Sequence, residues 1–444
     1  MKGERNGLMM VASVAVGALF ALNPFALPAQ QATVLWVLVL CGALWLTEAL
    51  PLHVTALVIP VLLAVFGKFT VNAVFTPFFD PVVVLLLGGF VMAVALQKHS
   101  LDRRIALSFV HLFGRTPKRF LLGIMVASAF LSFWITNSAT TSLILPIAIA
   151  VLAANKMRPG KSTYAKALVL GVAFAATIGG MGTIIGSTPN VIVTKFLADQ
   201  GIQITFTSWM YYALPFTLLL LPLAWLVLIT MFPSGDKPLL VRHADPHTSR
   251  PQRLVLAVFA LTVLLWLTTE WHGYSASLVA LVPVILLYAL GLLDTDDFSK
   301  AQWPTLVLFG GGLSLGTAIS ASGLDSTLAG VLQSFVFGQA LWLIFLAVIA
   351  FSMLLTVMAS NTAAASILVP IAIPLAAAIG VDVRTIALLA ALGVSLDFLV
   401  PVGTPPNAIA YASGYVRVWD MAKAGAVIAV IAALLLTGLA LLYW

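Results

Sequence analysis

Two short polar stretches interrupt long apolar runs: Thr136-Asn137-Ser138 in "WITNSATTSLILP" and Ser360-Asn361-Thr362 in "MASNTAAASILVP". Each is followed downstream by a Gly-Pro stretch, "GSTPN" from Gly186 and "GTPPN" from Gly403. Hydroxyls, side-chain amides and helix-breaking residues supply neutral donors and acceptors. Thr136 and Ser360, or the Asn after each, are favourable helix N-caps. Each polar centre can therefore offer amide donors and the positive end of a helix dipole to an anion. Gly403 lets a helix stop, Thr404 suits an N-cap, and Pro405 suits a first turn whose N–H is not needed. Gly186, Ser187 and Pro189 repeat the arrangement. Carbonyls freed where a helix ends, with nearby hydroxyls and Asn oxygens, form all-oxygen cages of the kind that hold Na+. No Lys or Arg lies close in sequence to these four stretches. A dianion would be held by amides, hydroxyls and dipoles, with co-bound cations balancing its charge, which predicts coupled transport. A lone Ser, Thr or Asn in a membrane helix usually makes only a hydrogen bond of ~0.6 kcal/mol to a neighbouring helix. The pairing of all four motifs is what argues for a site.

The elements that must position these residues are membrane helices. The chain has 444 residues, 61% hydrophobic and 8% charged, with a mean hydropathy of +1.10. Soluble domains carry about 25% charged residues. Apolar stretches of about 20 residues recur, as a ~30 Å hydrocarbon core requires of helices, and the alternating strands of an outer-membrane barrel are absent. Cys41 is the sole cysteine, so no disulfide framework exists and an inert buried thiol is expected. The net charge of +7 follows topology: with Met1 in the cytoplasm, alternating spans place 19 of the 22 Lys and Arg inside, leaving Lys68, Lys195 and Arg384 outside. This is the positive-inside pattern, so no nucleic-acid partner is called for. The expected location is the inner (plasma) membrane, with the N-terminus cytoplasmic, the C-terminus outside and lipid as the surrounding partner. The run from Leu8 to Leu27 is read as an uncleaved first helix rather than a signal peptide.

The chain is written twice. "WLTEALPLHVTALVIPVLL" from Trp45 resembles "WLTTEWHGYSASLVALVPVIL" from Trp266, and "VLLLGGFVMAVALQKHSLD" from Val84 resembles "LVLFGGGLSLGTAISASGLD" from Leu306. The Asn motifs and Gly-Pro motifs follow in the same order. The expected fold is all-α and polytopic: about 11 transmembrane helices plus two re-entrant hairpins, in two inverted repeats. A first helix (8–28, in the N-terminal segment 1–32) precedes spans 33–50, 53–67 and 81–98, mirrored by 254–269, 274–291 and 304–321. Amphipathic segments 101–113 and 324–335 lead into hairpins 117–155 and 338–379. Helices 164–186 and 383–403 then end at the Gly-Pro breaks, with continuations to 199 and 413, and final spans lie at 211–232 and 421–443. A basic linker, 233–253, joins the copies. Five crossings per copy make them inverted, the signature of secondary transporters. Each Asn motif has 17–20 apolar residues on either side, so a hairpin of two half-helices with a polar tip is expected, because irregular backbone is tolerated in lipid only where it lines a cavity.

Asp397, six residues before Gly403, is the sharpest oddity, since its counterpart in the first copy is Gly180. On a helix it would lie about 9 Å from that break. An ionisable residue within a membrane helix is a candidate for coupling, against a structural carboxylate bonded to a neighbouring helix. Glu48 and Glu270 read as helix-end anchors, His99 and His111 as surface residues, and 101–113 as an interfacial helix.

These motifs, with "SNT", "GTPPNAI" and "WLTEALPL" in combination, resemble the divalent anion/sodium symporter family of dicarboxylate, citrate and sulfate transporters, from about Trp45 to the C-terminus. The resemblance implies a homodimer with a scaffold domain (33–113 and 254–337) and a moving transport domain (114–232 and 338–444), working as an elevator. It implies two or more Na+ ions and no organic cofactor. One Na+ site would comprise Ser132, Thr136, Asn137 and Gly186, the other Thr356, Ala359, Asn361 and Gly403. A small dianion would meet Asn137, Ser138 and Ser187 on one side and Asn361, Thr362, Thr404 and Pro405 on the other. The first motif reads Thr-Asn-Ser rather than Ser-Asn-Thr, and "GSTPN" has one proline where the second copy has two, so substrate choice is the open question. The expected function is secondary active transport of a C4-dicarboxylate by Na+ symport. A dicarboxylate or citrate exchanger, a sulfate symporter and an anion channel are the alternatives. No catalytic motif or ATP-binding loop supports an enzyme or a primary pump.

Overall fold

A computed structural model describes residues 2–114, 116–160, 162–235, 238–240, 249–336 and 338–444, without the side chains of 2–6, 110 and 111. Residues 236, 237 and 241–248 of the basic linker and the His111 side chain therefore lie outside the described residues. All regular structure among the described residues is helical. The first half carries α1 (Lys2–Ala21), α2 (Ala29–Thr47), α3 (Leu52–Val65), α4 (Val71–Phe75), α5 (Pro81–Lys98) and α6 (Leu101–Phe113). It continues with α7 (Pro117–Ser132), α8 (Asn137–Ala154), α9 (Thr163–Gly180), α10 (Thr188–Asp199) and α11 (Phe206–Met231). The second half carries α12 (Arg250–Leu267), α13 (Thr269–His272), α14 (Ala276–Val279), α15 (Leu281–Ala289), α16 (Thr295–Ser299) and α17 (Trp303–Ser322). Then come α18 (Leu324–Val336), α19 (Leu341–Met358), α20 (Asn361–Ala378), α21 (Val383–Gly393), α22 (Pro405–Ala412) and α23 (Val418–Leu442). Ten stretches among the described residues are helical, long and apolar enough to cross a membrane.

Most elements fall where the apolar runs predict. Three differ for identifiable reasons. α1 stops at Ala21 rather than running to residue 28: Asn23 precedes Pro24, a position that disfavours the helical region. Asn23 sits at φ +52°, and its side chain exchanges two hydrogen bonds with the Leu27 backbone, at 2.8 and 2.9 Å. The hairpin arms α7, α8, α19 and α20 hold 16 to 18 residues, about 24–27 Å each, longer than half-helices. Both helices before the Gly-Pro breaks end early, at Gly180 and Gly393. The first break contains a short 3-10 turn over Ile184–Gly186, whereas the second is irregular, and Asp397 lies in it rather than on a helix.

By packing, the chain divides into two units: Met1–Val84 with Val191–Gln203 and Gln302–Val394, and Leu85–Asn190 with Ile204–Ala301 and Ser395–Trp444. The core of the first unit gathers Val37, Cys41 and Trp45 of α2, Ile59 and Leu63 of α3, and Leu315 and Ile319 of α17. Cys41 is fully buried there, as an inert thiol should be. Without a hydrophobic drive between helices in lipid, close approach rests on small residues. At Gly311 a Cβ would lie 2.6–2.7 Å from Ala56 of α3, so only glycine fits. In the second unit, α7 packs along α9, and α11 packs against both α9 and α23.

The matched blocks reappear as matched local structure. Trp45 Nε1 donates to Leu52 O at 3.1 Å, and Trp266 Nε1 to Ala276 O at 3.0 Å. Asp102 Oδ1 and Asp325 Oδ1 each accept from the next backbone amide at 2.7 Å. Glu48 closes α2 in the left-handed region. His99 is not a free surface residue: Nε2 lies 3.0 Å from Leu292 O, and its carbonyl accepts from Gln252.

Candidate functional site

The first hairpin tip and first break lie within one packing unit. Thr136 is extended (φ −61°, ψ 149°), and its hydroxyl caps α8 by accepting from Ala139 N at 3.4 Å. Ser360 has the same dihedrals and accepts from Ala363 N at 3.3 Å. Such caps contribute about 1 kcal/mol, and the choice of Thr136 and Ser360 over the following Asn residues is settled by geometry. Thr136 Oγ1 also lies 3.3 Å from Ser138 Oγ.

Asn137 turns its amide back into the hairpin. One amide atom sits 2.7 Å from Ser132 Oγ and 3.2 Å from both Ala176 O and Gly186 O. Every partner there is an oxygen. The group is satisfied either by its nitrogen donating to the two carbonyls or by its oxygen sharing a cation with them. Gly180 makes room for it: a Cβ there would overlap the amide, 2.8 Å from Cγ and 2.9 Å from Nδ2. Gly186 is similarly pressed between Gly180 O and Ser132 O, 2.6 and 2.8 Å from where its Cβ would lie. Ser132, Asn137 and Gly186, three of the four residues predicted for the first cation site, therefore converge, and Thr136 stands beside them at the tip.

Freed carbonyls in a buried break must find donors. Asn190 Nδ2 donates to Gly180 O at 2.9 Å and Thr183 O at 2.7 Å, Trp209 Nε1 donates to Met181 O at 3.1 Å, and Thr183 Oγ1 donates to Phe133 O. This last bond ties the break to the hairpin tip. At the second break Asn407 Nδ2 donates to Asp397 O and Val400 O, both at 3.1 Å. The two asparagines close the breaks in the same way, ten and seven residues back. The motif-level reading missed this role, although both end the quoted stretches "GSTPN" and "GTPPN".

Ser187 and Thr404 share one extended conformation (φ −144°, ψ 143° and 145°) immediately before α10 and α22. Thr404 occupies the N-cap position as predicted, but its hydroxyl makes no capping bond; Pro405 stands in the first turn. α22 packs against α8 and α9, so Thr404 and Pro405 belong to the same unit as Asn137, Ser138 and Ser187. In the other unit, Thr356 Oγ1 donates to Asn361 Oδ1 at 2.8 Å, the counterpart of the Ser132–Asn137 contact. Ala359 is the extended residue between α19 and Ser360, and Thr362 lies buried on the first turn of α20. Gly403 lies in the unit of the second break, under Asp397. No group of three or more His, Cys, Asp or Glu suited to a metal occurs among the described residues. Oxygen donors from hydroxyls, amides and carbonyls are what the site offers, a set suited to hard cations.

Residues 4–444 match the family model described as the sodium:sulfate symporter transmembrane region. An uncharacterised transporter of Haemophilus influenzae is 32% identical, with 100% of this chain and 98% of that protein covered. The sodium-dependent dicarboxylate transporter SdcS of Staphylococcus aureus is 32% identical over 98% of this chain and 90% of its own length. The crystal structure of the YdaH transporter of Alcanivorax borkumensis has a similar fold, with a TM-score of 0.64 at 15% identity over 94% of this chain and 99% of that one. The chain is a multi-pass membrane transporter that belongs to the sodium:sulfate symporter transmembrane family.

Proposed function

We propose that this transporter carries a C4-dicarboxylate by Na+ symport. The observation that carries the reading is the Asn137 amide, one end of which meets three oxygens, Ser132 Oγ, Ala176 O and Gly186 O. The similarity to SdcS, a transporter named for sodium and dicarboxylate, supports it. Ser132, Thr136, Asn137 and Gly186 would hold one Na+, and Thr356, Ala359 and Asn361 of the other unit would offer the same kind of oxygen ligands to a second. Bound Na+ supplies the positive charge that these neutral residues lack. The chain itself supplies hydroxyl and amide donors at Asn137, Ser138 and Ser187, and at Asn361, Thr362 and Thr404, while Pro405, which has no N–H, would meet the dianion only by contact. The N-termini of α8, α10, α20 and α22 add dipoles that favour an anion. Inverted copies, a dimer of scaffold domains, an elevator-like transport domain and a cytoplasmic N-terminus complete the proposal.

A second reading, sulfate in place of the dicarboxylate, is favoured by the family description itself. Proteoliposomes separate them. Succinate uptake should follow an imposed Na+ gradient and vanish with equal Na+ on both sides. Uptake that needs internal succinate and no Na+ would make the protein an exchanger. Sulfate uptake under the gradient, with succinate inert, would replace the substrate and keep the coupling.

A further inference from the structure

The two breaks are braced alike but built from different residues, with only Gly186/Gly403, Pro189/Pro406 and Asn190/Asn407 identical between 180–190 and 397–407. Asn190 and Asn407 brace them identically. The first break has Gly180 and Thr183 where the second has Asp397 and Val400. Asp397 is fully buried, and neither carboxylate oxygen has a hydrogen-bond donor among the described residues. Its place is fixed. The Phe398 ring packs edge-on against Phe174 at 5.4 Å, and the Phe398 carbonyl carbon is 2.6 Å from where a Cβ at Gly425 would lie. The Asp397 main-chain carbonyl is held by Asn407. The carboxylate lies directly on Gly403, where a Cβ would overlap it. Glycine at 403 thus leaves the space that the carboxylate occupies.

A buried carboxylate without a partner costs several kcal/mol, so such groups are paired or coordinate metal ions. A neutral carboxylic acid would leave both an O–H and a carbonyl oxygen unanswered, whereas one small cation answers both oxygens. We infer that Asp397 is a direct ligand of a bound alkali cation at the second break, giving this half a charged cation site where the first half has a neutral one. The inference rests on the sodium-coupled reading and adds to it a ligand and a fixed negative charge. That charge raises the positive charge needed to occupy the site, so Na+ is bound there before and without the dianion.

The test is thermal unfolding of purified full-length protein in NaCl titrations, with choline chloride holding ionic strength constant and no dianion present. Wild type should be stabilised by Na+ and by Li+. Asp397→Asn, and Asp397→Gly, which installs the residue of the first break, should be at least as stable as wild type without Na+. Their half-saturating Na+ should rise at least tenfold, the lower end of what losing even an outer-shell partner costs a metal site. Variants that are less stable at every Na+ concentration, with an unchanged half-saturation, would make Asp397 structural and overturn the inference alone. A wild type indifferent to Na+ would overturn it together with the sodium-coupled reading.

Discussion

Gly180→Ala is the most exacting perturbation of the first site, because one added methyl meets the group on which the site depends. The new Cβ would overlap the Asn137 amide, 2.8 Å from its Cγ and 2.9 Å from its Nδ2. The helix has little freedom to withdraw. Next to it, Gly179 is seated on α7, where its Cβ would lie 2.5 Å from the Ala129 Cα. The amide must leave instead, giving up Ser132 Oγ and the carbonyls of Ala176 and Gly186. Stranded polar groups cost about 1–3 kcal/mol and overpacking ~1–3 kcal/mol. Replacing glycine by alanine in a helix returns roughly 1 kcal/mol. A middle value of about 3 kcal/mol is roughly a hundredfold in a binding constant.

The measurement is the Na+ dependence of succinate uptake in proteoliposomes, alongside the Na+ dependence of thermal unfolding. Gly180→Ala should raise half-saturating Na+ about a hundredfold in both. Gly171→Ala on the same helix is the control. Its Cβ meets only flexible side-chain atoms, Leu121 Cδ1 at 2.7 Å and Met125 Cγ at 3.2 Å, so repacking suffices and Na+ affinity should hold. If Gly180→Ala matches Gly171→Ala, the Asn137 amide has no part in cation binding and the reasoning fails.

Two further outcomes follow from the same geometry. Asn190→Ala removes both bonds that brace the first break and leaves the Gly180 and Thr183 carbonyls buried without that donor. It should cost about 2–4 kcal/mol and raise amide hydrogen exchange across 180–187 by at least tenfold, while Asn407→Ala does the same across 397–404; exchange unchanged from wild type would refute the bracing role. Outside the membrane segments, burial works to raise the Asp297 pKa, but hydrogen bonds from Lys300, Lys98 and the Asp294 amide hold the carboxyl well below the usual range. A depressed carboxyl stabilises the fold above its unfolded pKa and loses that contribution as pH falls. Asp297→Asn should therefore lower the melting temperature at pH 7, and the gap to wild type should narrow below about pH 4; a gap independent of pH would contradict the ion cluster.

The sequence carried the local chemistry further than the packing. Thr136 and Ser360 are legible as caps because an N-cap is decided by residue type and its immediate neighbours. Paired blocks are legible because duplication preserves order and spacing. The early ends of α9 and α21 were not, because alternating and 3.6-residue patterns are weak signals where helices are apolar on every face. Asn190 and Asn407 act on carbonyls ten and seven residues away, beyond the reach of any local capping rule. Only their shared place at the ends of "GSTPN" and "GTPPN" hinted at a common task. The approach of Gly180 to Asn137 is a tertiary fact, invisible in either segment alone.

What the two copies changed is more telling than what they kept. Both retain the cap, the hydroxyl that meets the Asn amide and the Asn that closes the break, because each satisfies a backbone or amide group that lipid cannot. The first break adds Thr183, whose hydroxyl binds the hairpin carbonyl at Phe133. The second has Val400 there and loses that hydroxyl. It has Asp397 instead of glycine, and the carboxylate takes the space above Gly403. One break is therefore tied to its tip by a neutral hydrogen bond within the chain, which forms with or without ions. The other holds a buried carboxylate with no donor among the described residues, so its stability depends on what binds. Unequal breaks on a common frame would make the two cation sites fill in order, the charged one first.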